Sequence, residues 1–257
     1  MTTRSYEIAG CELDVLLLPA ANAGGPTLVL LHEGLGSIGL WRNLPQRLHA
    51  RSGYEVLVYS RRGNGFSGVL DGPRAPRYMH DEGLDVLPAL LGRVGVEHPF
   101  LIGHSDGASI ALIYAGAFPE RTAGLVVLAP HVFVEEISVR SIASIGVEYR
   151  EGGLRERLAP HHRDVDRTFF GWHDVWLSPA FAQWNIESFL PNITAPLVQI
   201  QGRDDRYGTT AQLDAIERGV HGVCDRILLD CCGHSPHRDR PAAVESAILA
   251  AALSHWA

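Results

Sequence analysis

Near residue 105 an apolar run breaks at a serine held between two glycines: residues 101–116 read LIGHSDGASIALIYAG. Gly103-His104-Ser105-Asp106-Gly107 has the spacing G-x-S-x-G, in which a sharp strand-to-helix turn lifts a serine hydroxyl clear of a sheet and the glycines leave room for neighbouring backbone. The helix that follows points its positive end at the same place. A serine hydroxyl is a poor nucleophile until a base takes its proton, and the base needs a carboxylate to orient it. Downstream, in the order serine, acid, histidine, the stretch QIQGRDDRYG offers Asp204 and Asp205, and LLDCCGHSPH offers His234 and His237. His234 directly follows Gly233 in a loop leading to the last helix, whereas His237 falls near the start of that helix, so His234 is favoured as the base. Attack on a carbonyl carbon also creates an oxyanion, which is commonly held by two backbone N–H groups. Asp106, next after the nucleophile, supplies one. The loop His32-Glu33-Gly34-Leu35-Gly36-Ser37 supplies the other, from Gly34 or alternatively Leu35.

Such parts work only if strand ends bring them together. YEIAG and ELDVLLL read as an opening pair of strands, with a turn at Asn22–Gly25. TLVLLH, EVLVYS, PFLIGH, GLVVLAP, PLVQIQG and RILLD are short apolar runs of the kind buried on both faces of a parallel sheet. Between them, LWRNLPQRLHAR, HDEGLDVLPALLGRV, ASIALIYAGAF, TAQLDAIERGV and AAVESAILAAALSHW read as helices. Strands alternating with helices predict an α/β fold, a doubly wound, mostly parallel sheet flanked by helices. Residues 131–193 break the alternation: they lack strand-like runs and are rich in charge, His and Trp. They read as a helical cap inserted after the sixth strand, with residues 1–130 and 194–257 forming the core.

Bulk composition narrows the function. A formal net charge of −7 over 257 residues, with no long basic stretch, argues against a nucleic-acid surface or a polybasic membrane surface. No apolar stretch is long enough to span a membrane. The four cysteines have no C-x-x-C spacing, so reduced thiols in a cytoplasmic protein are expected. A small-molecule partner, bound by a monomer or homodimer, is expected.

Taken together, LLHEGLGS, YSRRGNGFSG, LIGHSDGAS, QGRDDRYG and CGHSPH run from about Thr27 to the C-terminal helix and resemble the α/β-hydrolase fold superfamily, specifically the small bacterial hydrolases with an inserted helical cap. The resemblance implies hydrolysis of carboxylic esters, lactones, thioesters or vinylogous C–C bonds without metal or organic cofactor. It also favours Asp205 over Asp204, because the acid of that fold commonly stands three residues after the turn glycine, here Gly202. The resulting expectation is a serine esterase with Ser105 as nucleophile, His234 as base and Asp205 as its orienting acid. The rival within the class is a C–C or enol-lactone hydrolase of aromatic catabolism; such relatives often carry Met after the serine, where this chain has Asp106. A ligand receptor on the same scaffold is the rival outside it.

The chain departs from the family at two points. Glu33 stands where glycine is common, and Ser60 stands where an aspartate often precedes the motif arginine. Glu33 is expected to pair with Arg61 or Arg62, or else to tune His234 or touch substrate. In the cap, Trp172, Trp176 and Trp184 are candidates for an apolar substrate pocket, with packing as the alternative. Arg155, Arg157, His161 and His162 are candidates to meet a substrate carboxylate. Two patterns are set aside. GNGFSG has the spacing of a dinucleotide loop, but Asp71-Gly72-Pro73 follow and no helix opens there. His161, His162, Asp164 and Asp166 lack ligand spacing for a metal and read as a solvated surface. Cys231 and Cys232 read as small packed residues beside the base.

Overall fold

The computed structural model describes residues 3–21 and 24–254. Asn22 of the expected turn, and His255 and Trp256 of the expected terminal helix, lie outside them. Eight strands form one sheet: β1 (Arg4–Ile8), β2 (Cys11–Leu18), β3 (Thr27–Leu31), β4 (Val56–Tyr59), β5 (Pro99–His104), β6 (Gly124–Leu128), β7 (Leu197–Gly202) and β8 (Cys224–Leu229). Their order is β1-β2-β4-β3-β5-β6-β7-β8. β2 pairs antiparallel with β1 and β4, and every other pairing is parallel.

β4, β5 and β6 are buried at every residue, which explains why they read as continuous apolar runs rather than alternating ones. Successive residues still divide between two cores. Val29 and Leu31 of β3, with Leu101 of β5, pack on one face; Leu28 and Leu30, with Phe100 and Ile102, pack on the other. The second face is covered by α1 (Leu44–Ser52) and α10 (Pro241–Ser254), through Leu44, Leu48, Val244 and Ile248. The first is covered by α2 (Tyr78–Asp81), a π turn Glu82–Val86, α3 (Leu87–Val94) and α4 (Asp106–Ala117). α4 is buried from Asp106 to Gly116 and has no polar face, the mark of a helix enclosed on all sides.

Two helices begin elsewhere than the periodicity suggests. The LWRNLPQRLHAR segment is split: Ile38–Trp41 forms a 3-10 turn, and α1 starts at Leu44. Pro45 therefore falls in the first turn, where its missing N–H costs nothing. The HDEGLDVLPALLGRV segment is entered from Tyr78, two residues before the expected start. Between β6 and β7 lie α5 (Glu136–Glu151), α6 (Leu154–Leu158), α7 (Val165–Trp176) and 3-10 turns, with one isolated bridge between Phe133 and Asn185. α8 (Ala211–Gly219) and α9 (Pro236–Asp239) complete the chain. No described helix is long and apolar enough to cross a membrane.

Candidate active site

β5 lies between β3 and β6, so the turn after it opens at the centre of the sheet's C-terminal edge. Ser105 occupies that turn with φ +53° and ψ −118°, a strained conformation for a residue bearing a side chain. Its N–H bonds the Leu128 carbonyl at the end of β6, and its own carbonyl accepts from Ala108 and Ser109 in the first turn of α4. Gly107 is required because a Cβ there would stand 2.0 Å from the Leu31 carbonyl oxygen of β3. Backbone on both sides thus leaves the serine only one way to face.

The ends of β7 and β8 bring two more groups to Ser105. His234 Nε2 lies 2.9 Å from Ser105 Oγ, and His234 Nδ1 lies 2.9 and 3.0 Å from the two carboxylate oxygens of Asp205. With Nδ1–H donating to Asp205, Nε2 is left to accept the serine proton. The Asp205 side chain is almost fully buried. Burial raises its carboxyl, but the His234 charge and hydrogen bond, with the Tyr207 N–H at 2.8 Å, outweigh it and hold the group below the usual carboxylate range. Gln201 Nε2 adds a contact at 3.3 Å. Asp204 is exposed, and its described bond runs from its backbone N–H to Cys232. His237 is buried against Trp41 and His104, and among the described residues neither of its ring nitrogens has a hydrogen-bond partner. The structure brings Asp205 and His234 to Ser105, and leaves Asp204 and His237 away from it.

The loop after β3 is pinned from below. Arg61, 1% exposed, donates to the carbonyls of His32 and Glu33, the latter at 2.8 Å. Asn64 Nδ2 donates to the carbonyls of Gly34 and Gly36 at 2.9 and 3.1 Å. With these carbonyls bonded, the Glu33–Gly34 and Gly34–Leu35 peptides are held in place. The Trp172 indole packs on Gly34 so closely that a Cβ there would meet Nε1 at 2.0 Å. The Asp106 N–H opens α4, and first-turn N–H groups have no acceptor inside their own helix.

The Asp106 carboxylate has a structural partner. Tyr78 Oη donates to its Oδ2 over 2.5 Å, Trp176 Nε1 of α7 donates to Tyr78 Oη over 3.0 Å, and the Arg61 guanidinium stands 4.0 Å away. Burial, then the neighbouring Asp106 charge, pushes the Tyr78 phenol well up, so it remains a donor.

Glu33 does not make the expected carboxylate pair with Arg61 or Arg62. Arg61 binds its backbone carbonyl and Arg62 pairs with Asp71, while the Glu33 carboxylate turns the other way, 3.3 Å from His104 Nδ1 and 3.6 Å from Arg238. The reason is that Arg61 is already committed to the main chain of the loop. Burial raises the Glu33 carboxyl, but the hydrogen bond and charge of His104, with Arg238, hold it well below the usual range. The Nε2 of His104 lies 2.6 Å from the His234 carbonyl.

The segment between β6 and β7 contributes mainly packing. Trp172, Trp176 and Trp184 are all buried, and Trp184 stacks on Phe181. Leu35 packs partly buried against the same apolar core. Arg155 and Arg157 are spent on Asp166 and Glu148. His162 is not a solvated residue: it is 5% exposed, accepts the Gly65 N–H at 2.9 Å and lies 3.1 Å from the Leu35 carbonyl. It clamps this segment onto two loops of the sheet, a bond between residues 97 and 127 apart that no local pattern displays. Cys231 is exposed on a left-handed backbone, and only Cys232 is packed as expected. Among the described residues no group of three or more His, Cys, Asp or Glu side chains could hold a metal ion.

One more side chain near His234 carries no sequence motif: His131, which follows β6. It is buried, its ring lies 5.7 Å from that of His234 and 5.5 Å from that of Trp176, and among the described residues its Nδ1 has no hydrogen-bond partner. Burial, then the His234 charge, lowers it to about 3, so it faces the site as a neutral imidazole.

Comparison with known proteins agrees with this architecture. The family model described as alpha/beta hydrolase fold matches residues 26–172. The chain is 36% identical over 245 residues to a 2-hydroxy-6-oxononadienedioate/2-hydroxy-6-oxononatrienedioate hydrolase of Paraburkholderia phymatum, covering 82% of each. It is 26% identical to a 2-hydroxy-6-oxo-6-phenylhexa-2,4-dienoate hydrolase of Comamonas testosteroni, covering 91% of this chain and 90% of that protein. Among solved structures, the proline iminopeptidase of Mycobacterium smegmatis superposes with a TM-score of 0.78 at 16% identity, covering 99% of this chain and 98% of the other. The family match takes in more than half of the sequence, and the chain belongs to the α/β-hydrolase fold family.

Proposed function

We propose that the protein is a serine hydrolase that cleaves a small carboxylic ester, lactone or thioester through an acyl-enzyme. The observation that carries this reading is the continuous hydrogen-bonded line from Ser105 Oγ through His234 to Asp205. Ser105 Oγ attacks the carbonyl carbon as its proton passes to His234 Nε2, and Asp205 stabilises the imidazolium. The oxygen that gains charge takes hydrogen bonds from the Asp106 and Gly34 N–H groups. As the intermediate collapses, His234 returns the proton to the leaving group. Water then repeats the sequence on the acyl-enzyme and releases the acid and Ser105. No step needs a metal or an organic cofactor. The helices between β6 and β7 act as a cap over the site, with Leu35, Trp172, Trp176 and Trp184 shaping its apolar side.

A second reading, cleavage of a C–C bond in a vinylogous diketone, is favoured by the names of the two relatives that span most of the chain. It uses the same three side chains, with a carbanion in place of the leaving oxygen.

The test is a fluorophosphonate probe followed by turnover of a panel of p-nitrophenyl esters, lactones and dienones by wild type and Ser105→Ala. Labelling at Ser105 with ester turnover lost in Ser105→Ala supports the first reading. Preference for the dienone favours the second. Labelling with no turnover of any substrate points to a receptor on this scaffold, and absence of labelling sinks the activated nucleophile.

A further inference from the structure

His234 is held at two points. Its side chain is oriented by Asp205, and its main-chain carbonyl receives a 2.6 Å hydrogen bond from His104 Nε2. A carbonyl only accepts, so Nε2 carries the proton. On its other side the same ring meets the Glu33 carboxylate at 3.3 Å, again an acceptor. Glu33 is itself fixed, with its second oxygen 3.6 Å from Arg238 of α9, the short helix that follows His234. His104 is fully buried, with Trp41 and His237 against its ring. A ring so enclosed and bonded at both nitrogens has one orientation, and the loop bearing His234 is anchored to it.

From this geometry we propose that Glu33 and His104 are positioning residues for the base. Glu33 sets the His104 ring, and His104 holds the main chain of His234 at the distance from Ser105 that proton transfer requires. The inference rests on the reading of Ser105 and His234 as nucleophile and base. It accounts for two residues that this reading leaves idle: the histidine before the nucleophile and the carboxylate in the loop after β3. The need for it is geometric, because an imidazole that drifts by an ångström from a serine loses most of its value as a base.

The two ring nitrogens can be mimicked separately. The amide nitrogen of Gln at position 104 reaches where Nε2 stands and can donate to the His234 carbonyl, while that of Asn reaches only where Nδ1 stands, toward Glu33. The measurement is kcat and KM on an ester that wild type turns over, each normalised to active sites titrated with a fluorophosphonate. We expect His104→Gln to keep kcat within about threefold of wild type, and His104→Asn to lose on the order of tenfold or more in kcat with KM within about twofold. Equal kcat in the two variants, whether high or low, overturns the proposal, because the bond to the carbonyl would then not be what matters. Should neither variant fold, Glu33 carries the same test: Glu33→Gln keeps an acceptor for Nδ1–H and keeps kcat, Glu33→Leu removes it and lowers kcat, and full kcat in Glu33→Leu overturns the proposal. A wild type that neither reacts with the probe nor turns over any ester removes the base reading, and this inference with it. An active wild type with indistinguishable variants removes this inference alone.

Discussion

The indole of Trp172 lies against the backbone of Gly34, leaving no room for even a methyl group on that glycine. The contact joins α7 to the loop that supplies one of the proposed oxyanion donors. Gly34→Ala is expected to push the two apart and misplace that donor, lowering kcat/KM by on the order of tenfold or more, equivalent to about 1.4 kcal/mol of transition-state stabilisation. Trp172→Ala in the same chain is expected to restore part of the loss by making room. Steady-state kinetics on the two single variants and the double variant check this, and strictly additive losses would show that the contact is not the cause.

Asp205 and Asp204 are neighbours in sequence with opposite surroundings, one buried on His234 and the other exposed. Asp205→Asn is expected to lower kcat by as much as about 10⁴-fold, the scale of losing the acid of a serine triad, since an amide can present a donor where His234 needs an acceptor. Asp204→Asn is expected to stay within a few-fold of wild type. Measuring kcat for both is sufficient, and a larger loss in Asp204→Asn would transfer the role.

His162 gives a stability prediction. Burial lowers its imidazole to about 4, and hydrogen bonds to Gly65 and Leu35 hold the neutral ring in place. A histidine unfolds to its ordinary value of about 6.5. Between those values the unfolded chain binds a proton that the folded chain refuses, so folding stability falls as pH drops from about 6.5 toward about 4. One such group contributes a slope of up to about 1.4 kcal/mol per pH unit. In His162→Asn the stability at neutral pH is expected to be lower and the decline across that window shallower. Urea unfolding at a series of pH values checks both, and an unchanged slope would show that His162 is not responsible.

Much of this arrangement is written locally and is legible as such. Gly103 through Gly107 announce a turn because the elbow's geometry is satisfied within five residues, and the apolar runs around it have the length and burial of parallel strands. Ser105 and the candidate pairs Asp204 or Asp205 and His234 or His237 could be named because each lies at or just beyond the end of such a run, and the preference for Asp205 came from the family resemblance. Glu33 could not be paired correctly, because its partner His104 is 71 residues away and Arg61, the nearer candidate in the motif, is taken up by backbone carbonyls. His162 and Tyr78 escaped for the same reason: their partners lie on distant loops and helices, and a side chain's polarity says nothing about which of these will fold over it. His131 carries no motif at all; only burial and its distance from His234 mark it.

The two residues flanking Ser105 reach in opposite directions, His104 toward the loop of His234 and Asp106 toward Tyr78 and, through it, Trp176 of α7. Ser105 therefore sits at a mechanical junction. Two hydrogen bonds, of 3.0 and 2.5 Å, link α7 through Tyr78 to the residue after Ser105, and one of 2.6 Å links the His234 loop to the residue before it. Any displacement of α7 or of the His234 loop would in this way reach a residue covalently joined to Ser105.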